Sequence, residues 1–178
     1  MIEKEVKIKV SCEELHHIRS RILKLEAKVL SKQWTIDVYL NHPCRNFYES
    51  DETLRIRVPK GNGVCELTYK GPRVKDFGYA KIREELTISF SKKQLKNLML
   101  ILEKLGFTKV AEIEKNREEF IINNVKIALD NVKSLGCFVE LEYSSENELK
   151  DVLKMLGIRG SLMEKTYLEM VLERSKSI

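Results

Sequence analysis

Glu3-Lys4-Glu5-Val6-Lys7-Ile8-Lys9-Val10 is the stretch that decides how this chain is read. In an extended strand Glu3, Glu5, Lys7 and Lys9 share one face, and Val6, Ile8 and Val10 share the other. The pattern returns along the chain. Arg55 and Arg57 share a face in Leu54-Arg55-Ile56-Arg57-Val58, as do Thr68 and Lys70, with Glu66 behind them. Lys81, Arg83 and Glu85 form another set, and so do Lys115 with Arg117, and Lys126 with Asp130. Glu140 and Glu142 stand against Val139, Leu141 and Tyr143. This period of two predicts strands near 2–10, 29–41, 53–60, 64–71, 79–90, 107–121, 125–132 and 136–144. Gly61-Asn62-Gly63 and Asn123-Asn124 predict hairpins between neighbouring strands. Asn41–Ser50 and Gly71–Gly78 read as loops.

Three segments have helical spacing instead. Each opens on a serine with Glu or Gln three residues on, the pattern of a capping box. Ser11 precedes Leu15, Ile18, Ile22 and Leu25. Ser91 precedes Leu95, Leu98, Met99 and Leu102, with Gly106 as the stop. Ser145 precedes Leu149, Val152, Leu153 and Leu156, with Gly157 as the stop. Each stripe is one face wide, so each helix should lie on something apolar. The segment from about Leu162 to Glu173 reads as strand or helix. Strand, serine-capped helix, strand occurs near residue 11 and again near residue 91. This suggests two similar halves in one domain spanning residues 1–178.

An antiparallel sheet with one wet face would explain the alternation alone. Two features favour a different placement of the charge. The apolar strand faces need covering, and the three amphipathic helices can cover them from outside, which leaves the charged face pointing into a barrel lumen. The charges are also sorted by type, with acids in the first strand and in Asp130–Glu142, and bases between Arg55 and Arg117. A charged lumen cannot be dry and unpaired, because burying each ion costs several kcal/mol. Converging carboxylates suit Mg²⁺ or Mn²⁺. Converging arginines and lysines suit a polyphosphate.

The remaining features narrow the field. The chain has 178 residues, a net charge of +5 and 33% charged residues. No run of eighteen apolar residues predicts a membrane helix, and the charged N-terminus lacks the apolar core of a signal peptide. A soluble cytoplasmic protein is expected, with no membrane partner. No basic run or nucleic-acid motif is present, so no nucleic-acid partner is expected. Cys12, Cys44, Cys65 and Cys137 form no C-x-x-C pair and read as packing residues, with neither zinc nor disulfides expected. No Walker-A loop, kinase set or G-x-G-x-x-G offers another phosphate site.

The charged segments together resemble a known family. Glu3-Lys4-Glu5-Val6-Lys7 is similar to the E-x-E-x-K signature of the CYTH superfamily, also called triphosphate tunnel metalloenzymes. Gln33-x-x-x-Asp37-x-Tyr39, Arg55-Ile56-Arg57, Leu67-Thr68-Tyr69-Lys70-Gly71-Pro72, Arg83-Glu84-Glu85 and Lys115-Asn116-Arg117 resemble its later motifs in order. Leu129-Asp130-Asn131-Val132, Leu135-Gly136-Cys137-Phe138-Val139-Glu140-Leu141-Glu142 and Lys165-Thr166-Tyr167 complete the series. The resemblance implies an α+β fold, a closed eight-stranded antiparallel β-barrel covered outside by helices. It implies metal ligation by Glu3, Glu5, Asp130, Glu140 and Glu142. It implies phosphate contacts from Lys7, Arg55, Arg57, Lys70, Arg83, Arg117 and Lys165, with catalytic roles for Glu5, Lys7 and Glu85. Mg²⁺ or Mn²⁺ is the implied cofactor, a triphosphate-bearing small molecule the implied partner, and a homodimer is compatible with it.

The family includes triphosphatases and class IV adenylyl cyclases. The motifs read phosphate and contain no adenine signature, so hydrolysis ranks first and cyclisation of ATP second. Trp34, beside Gln33, is expected to point out of the lumen, which disfavours a thiazolium-bearing substrate. A non-catalytic polyphosphate-binding module is the remaining alternative.

Overall fold

Residues with period-two hydrophobicity need a wet face and a dry face, and this chain supplies them by curling its sheet into a tube. The computed structural model describes residues 2–74 and 81–176. In chain order the elements are β1 (Ile2–Val10), α1 (Cys12–Lys24), β2 (Lys28–Asn41), β3 (Thr53–Pro59), β4 (Val64–Lys70) and β5 (Lys81–Ser91). They continue with α2 (Leu95–Lys104), β6 (Thr108–Ile122), β7 (Val125–Val132), β8 (Gly136–Glu142), α3 (Glu146–Leu156), β9 (Ser161–Leu162) and α4 (Tyr167–Lys176). The alternation located all eight long strands to within about two residues.

The sheet runs β5-β4-β3-β2-β6-β7-β8-β1-β9, and a further β5–β1 pairing closes eight antiparallel strands into a barrel. β1 makes the closure. One edge pairs with β8, with Glu5 opposite Glu142, Lys7 opposite Glu140 and Val10 opposite Cys137. Its other edge is shared between two partners. Residues 2–5 pair with β5, and Ile8 and Lys9 pair with β9. The ninth strand is an addition to the eight expected. Asn123 and Asn124 both have positive φ (47° and 62°), the conformation a two-residue hairpin turn between β6 and β7 requires.

The outward faces are covered by helices, as the stripes predict. Ile18 and Ile22 of α1 and Val152 and Leu156 of α3 are fully buried against Ile127, Val139 and Leu141. Burying each such side chain contributes roughly 1.5–3 kcal/mol. Leu102 of α2 packs with Leu40, Leu54 and Ile56, the outer face of β2 and β3. The cover is incomplete, since Leu86 and Ile88 on the outside of β5 remain 54% and 61% exposed. Leu25, at the end of the first stripe, is also exposed.

The C-terminal segment resolves into both alternatives: a two-residue strand, then α4. Tyr167 and Met170 of α4 meet Tyr39, Ile113, Val132 and Phe138, which project inward from β2, β6, β7 and β8. α4 thus seats an apolar floor against this part of the barrel.

Two sequence expectations are corrected. Cys12 and Cys137 form a disulfide (Cα–Cα 5.1 Å). The reason is topological: α1 starts two residues after Val10, and Val10 pairs with Cys137 in the ladder, so the first helical turn comes down on β8. Cys44 and Cys65 are free. Second, Ser145 does not cap α3 with its side chain. Glu148, its supposed partner, accepts from Asn124 Nδ2 (3.1 Å). Ser91 and Gln94 do form the reciprocal box, and Ser11 Oγ accepts from the Glu14 amide. Among the described residues no helix is long and apolar enough to cross a membrane.

Candidate active site

The charged strand faces point into the lumen, where they line a cavity of about 270 Å³. Glu5 and Lys7 come from β1, and Arg55 and Arg57 from β3. Glu66 and Lys70 come from β4, and Arg83 and Glu85 from β5. Lys115, Arg117 and Glu119 come from β6, Lys126 from β7 and Glu140 from β8. Among the described lining residues eight cations face five carboxylates, and Asp37 and Asp130 behind the wall offset part of the difference.

The pairing differs from the two segregated walls that the sequence suggests. Asp37, Asp130, Glu140 and Glu85 each sit beside a base on a neighbouring strand. Arg57 donates to Asp37 through Nε (2.8 Å) and Nη2 (2.9 Å). Arg117 donates to Asp130 through Nε (2.7 Å) and Nη2, and Nη2 also reaches Glu140. Lys7 lies 3.1 Å from Glu140 and 3.9 Å from the Tyr167 ring centre. Lys70 pairs with Glu85 at 2.7 Å.

Arg55 is less completely held. Its Nη2 donates to Thr68 Oγ1 (3.3 Å), Nη1 lies 3.7 Å from Asp37, and its buried Nε has no hydrogen-bond partner. A buried guanidinium N–H without an acceptor is costly, and an anion in the lumen could supply one.

Burial and charge set the protonation states. Burial pushes Asp37 up, but Lys115, Arg57 and Arg55 outweigh it and hold its carboxyl far below the usual range. Asp130 is likewise lowered, with Arg117 and Lys115 overcoming the effect of burial. Lys115 is pulled down to about 8, first by burial and then by Arg117 and Arg57, against the opposing pull of Asp130 and Asp37. Burial, then Asp130, raises the Tyr167 phenol well above its ordinary value.

The predicted residues are not all brought together. Glu5, Lys7, Arg55, Arg57, Lys70, Arg83, Glu85, Arg117 and Glu140 converge on the cavity. The Glu3 side chain lies outside the described residues. Glu142 is half-buried directly across the ladder from Glu5. Asp130 is fully buried, and its Oδ2 also accepts from Tyr167 Oη (2.9 Å). Lys165 lies elsewhere, 2.7 Å from Glu173 and beside a separate surface groove with Lys9 and Arg174. Tyr167, two residues on, takes the inward place. Among the described residues no three His, Cys, Asp or Glu side chains form a ready-made metal site.

Lys115, Lys126, Glu66 and Glu119 also line the lumen without having been singled out as binding residues. The strand alternation already placed most of them on the charged face. Trp34 is 53% exposed and does not line the cavity, as expected from its position beside Gln33.

A closed antiparallel barrel whose lumen carries paired arginines, lysines and carboxylates is a polyanion-binding tunnel by construction. The chain belongs to the CYTH domain family, which matches residues 1–167. Its relatives include a Methanocaldococcus jannaschii protein that is provisionally named an adenylate cyclase, 34% identical over 96% of this chain and 98% of that protein. A solved structure of the Pyrococcus horikoshii protein PH1819 is 30% identical, with a TM-score of 0.79 over 97% of this chain and 99% of the other. A Hippeastrum protein, provisionally named an adenylyl cyclase and described as having a dominant triphosphatase activity, superposes with a TM-score of 0.70. It is 16% identical over 98% of this chain and 96% of its own, so what it shares is the fold. Triphosphate tunnel enzymes of this family depend on metal ions in general.

Proposed function

We propose that this chain is a divalent-metal-dependent triphosphatase that hydrolyses inorganic tripolyphosphate or a triphosphate-bearing nucleotide inside its barrel. The observation that carries the reading is the cationic lumen, with the buried, partnerless Nε of Arg55 within it. Tyr39 and Tyr167 are the aromatic side chains of that lining, and both are buried, so the described lining offers phosphate contacts but no exposed ring for a base.

The donors for a metal fit in kind and in register. Glu5 stands opposite Glu142, and Lys7 opposite Glu140, on adjoining β1 and β8. Glu3 lies two residues before Glu5 on the same strand. Glu3, Glu5, Glu140 and Glu142 would hold Mg²⁺ or Mn²⁺, hard cations that prefer carboxylate oxygen. When bound, the metal would supply charge neutralisation at the phosphate oxygens and a more acidic water.

The protein's own groups do the rest. Arg55, Arg57, Lys70 and Arg83 would bind the non-bridging oxygens and hold the triphosphate in line. A water oxygen attacks the terminal phosphorus as the bridging P–O bond breaks. Glu85, kept beside Lys70, accepts the water proton. Lys7 and Arg117 offset the charge on the departing diphosphate. Glu5 would serve catalysis as one of the carboxylates that hold the metal.

The second reading is ATP cyclisation, favoured by the provisional name of the 34% identical relative. The phosphate machinery would serve both reactions, and a shared fold does not choose between them. The test is incubation with Mg²⁺ or Mn²⁺ and either tripolyphosphate or ATP, with anion-exchange separation of products and Glu5→Gln as the control. Phosphate and diphosphate from tripolyphosphate, without cyclic AMP from ATP, support the triphosphatase. Cyclic AMP with diphosphate, lost in the variant, reverses the order. Binding without turnover of either makes the tunnel a receptor.

A further inference from the structure

Two arginines in the lumen each stand on a buried carboxylate, and the two arrangements match. Asp37 on β2 lies directly across the ladder from Arg57 on β3. Asp130 on β7 lies directly across from Arg117 on β6. β2 and β6 adjoin, so the pairs flank one seam of the barrel. Each arginine spends Nε and one Nη on its aspartate. Lys115 stands between them, its Nζ 3.5 Å from Asp37 Oδ2 and 3.7 Å from Asp130 Oδ2. The aspartates are 1% and 0% exposed. Arg57, Arg117 and Lys115 line the cavity, whereas neither aspartate does.

We infer that Asp37 and Asp130 are positioning residues: buried counter-charges that fix Arg57 and Arg117 for the bound triphosphate, with Lys115 shared between them. Asp130 is therefore not a metal ligand. This rests on the triphosphate reading above and deepens it. Fixing a guanidinium on two of its donors removes the ordering cost that a ligand would otherwise meet. Two carboxylates among three cations also let those cations crowd together before an anion arrives. A metal on Asp130 would have to displace Arg117 from both oxygens and Tyr167 from one of them.

The test measures binding rather than turnover. Inorganic tripolyphosphate is titrated calorimetrically in chelator, and Mn²⁺ separately by electron paramagnetic resonance. Asp37→Asn and Asp130→Asn are each expected to weaken tripolyphosphate by about tenfold or more, the scale of a lost charge-assisted hydrogen bond. In an Arg57→Lys background Asp37→Asn should cost less than about threefold further, because both changes act through one group. Fully additive losses would overturn the inference. Asp130→Asn should leave Mn²⁺ affinity within about threefold, whereas the loss of a ligand would cost well over tenfold and overturn it. If Asp130→Asn does not fold, Tyr167→Phe removes one donor to Asp130 and keeps the ring. It should weaken tripolyphosphate but not Mn²⁺, and unchanged tripolyphosphate affinity overturns the inference. Wild-type protein that ignores tripolyphosphate sinks the proposed function and this inference together. Normal wild-type binding with unaffected variants sinks the inference alone.

Discussion

Breaking the Cys12–Cys137 bond should cost this protein several kcal/mol without disturbing its lumen. The bond joins residues 125 apart in sequence. A cross-link that closes a loop of this size removes chain entropy from the unfolded state worth about 5 kcal/mol at 25 °C, and native disulfides of small domains deliver roughly 2–5. Cys12 is exposed at the first turn of α1, so Cys12→Ala removes the bond with little loss of packing. Cys137 then remains a small apolar side chain in the core. Guanidinium unfolding of the oxidised protein, the reduced protein and Cys12→Ala gives the comparison. The reduced and variant proteins should agree with each other and lie about 3–5 kcal/mol below the oxidised one. Their denaturant slopes should be steeper, because an unlinked unfolded chain exposes more surface. Thiol titration of the unfolded oxidised chain should find two groups, Cys44 and Cys65. Four titrating thiols, or equal stabilities with equal slopes, would refute the reasoning.

Other outcomes follow from the site and the core. Lys115, pulled down to about 8, should take up a proton when tripolyphosphate binds at pH 9. The binding enthalpy should then vary with the ionisation heat of the buffer, and Lys115→Met should abolish that dependence. The same shift means that the unfolded chain binds more protons than the folded one between about pH 8 and the ordinary lysine value, so this group's share of stability rises with pH across that window. Asp37 and Asp130 are held below the ordinary carboxylate value. Their stabilisation is present above about pH 4 and lost as pH falls through the folded values, so the urea midpoint should drop in acid, and less steeply in Asp37→Asn. Arg55→Gln should weaken tripolyphosphate by about tenfold or more while leaving the melting temperature nearly unchanged. Ile18→Ala, at a fully buried site under α1, should cost about 2–5 kcal/mol in chemical unfolding.

Most of the barrel was legible because strand alternation is a local signal. Lys7, Arg55 and Glu140 had to share the wet face of their strands once Ile8, Ile56 and Leu141 took the dry one. What escaped the sequence depends on partners far along the chain. Asp130 reads as a metal ligand from its motif, and its place opposite Arg117 appears only once the ladder is set. Cys12 and Cys137 read as packing residues until Val10 is paired with Cys137. Lys165 and Tyr167 lie within one short segment, and which of them turns inward depends on where α4 begins, a boundary that the Thr166-x-x-Glu169 capping box marks and that a reading confined to serine caps passes over. The exposed outer face of β5 was hidden for a similar reason. Three helical stripes do not reveal which strands they will cover.

The placement of β1 also governs the order of assembly. It is made before every one of its partners, which are residues 81–84, 137–142 and 161–162. At roughly 5–20 residues per second, the first of these appears several seconds later and the last later still. Until then the N-terminal strand has unpaired edges, while local hairpins such as β3–β4 can already form. The tube therefore cannot close until β8 has been made, with β1 as the last seam sewn, and folding is tied to long-range contacts that are slow to make.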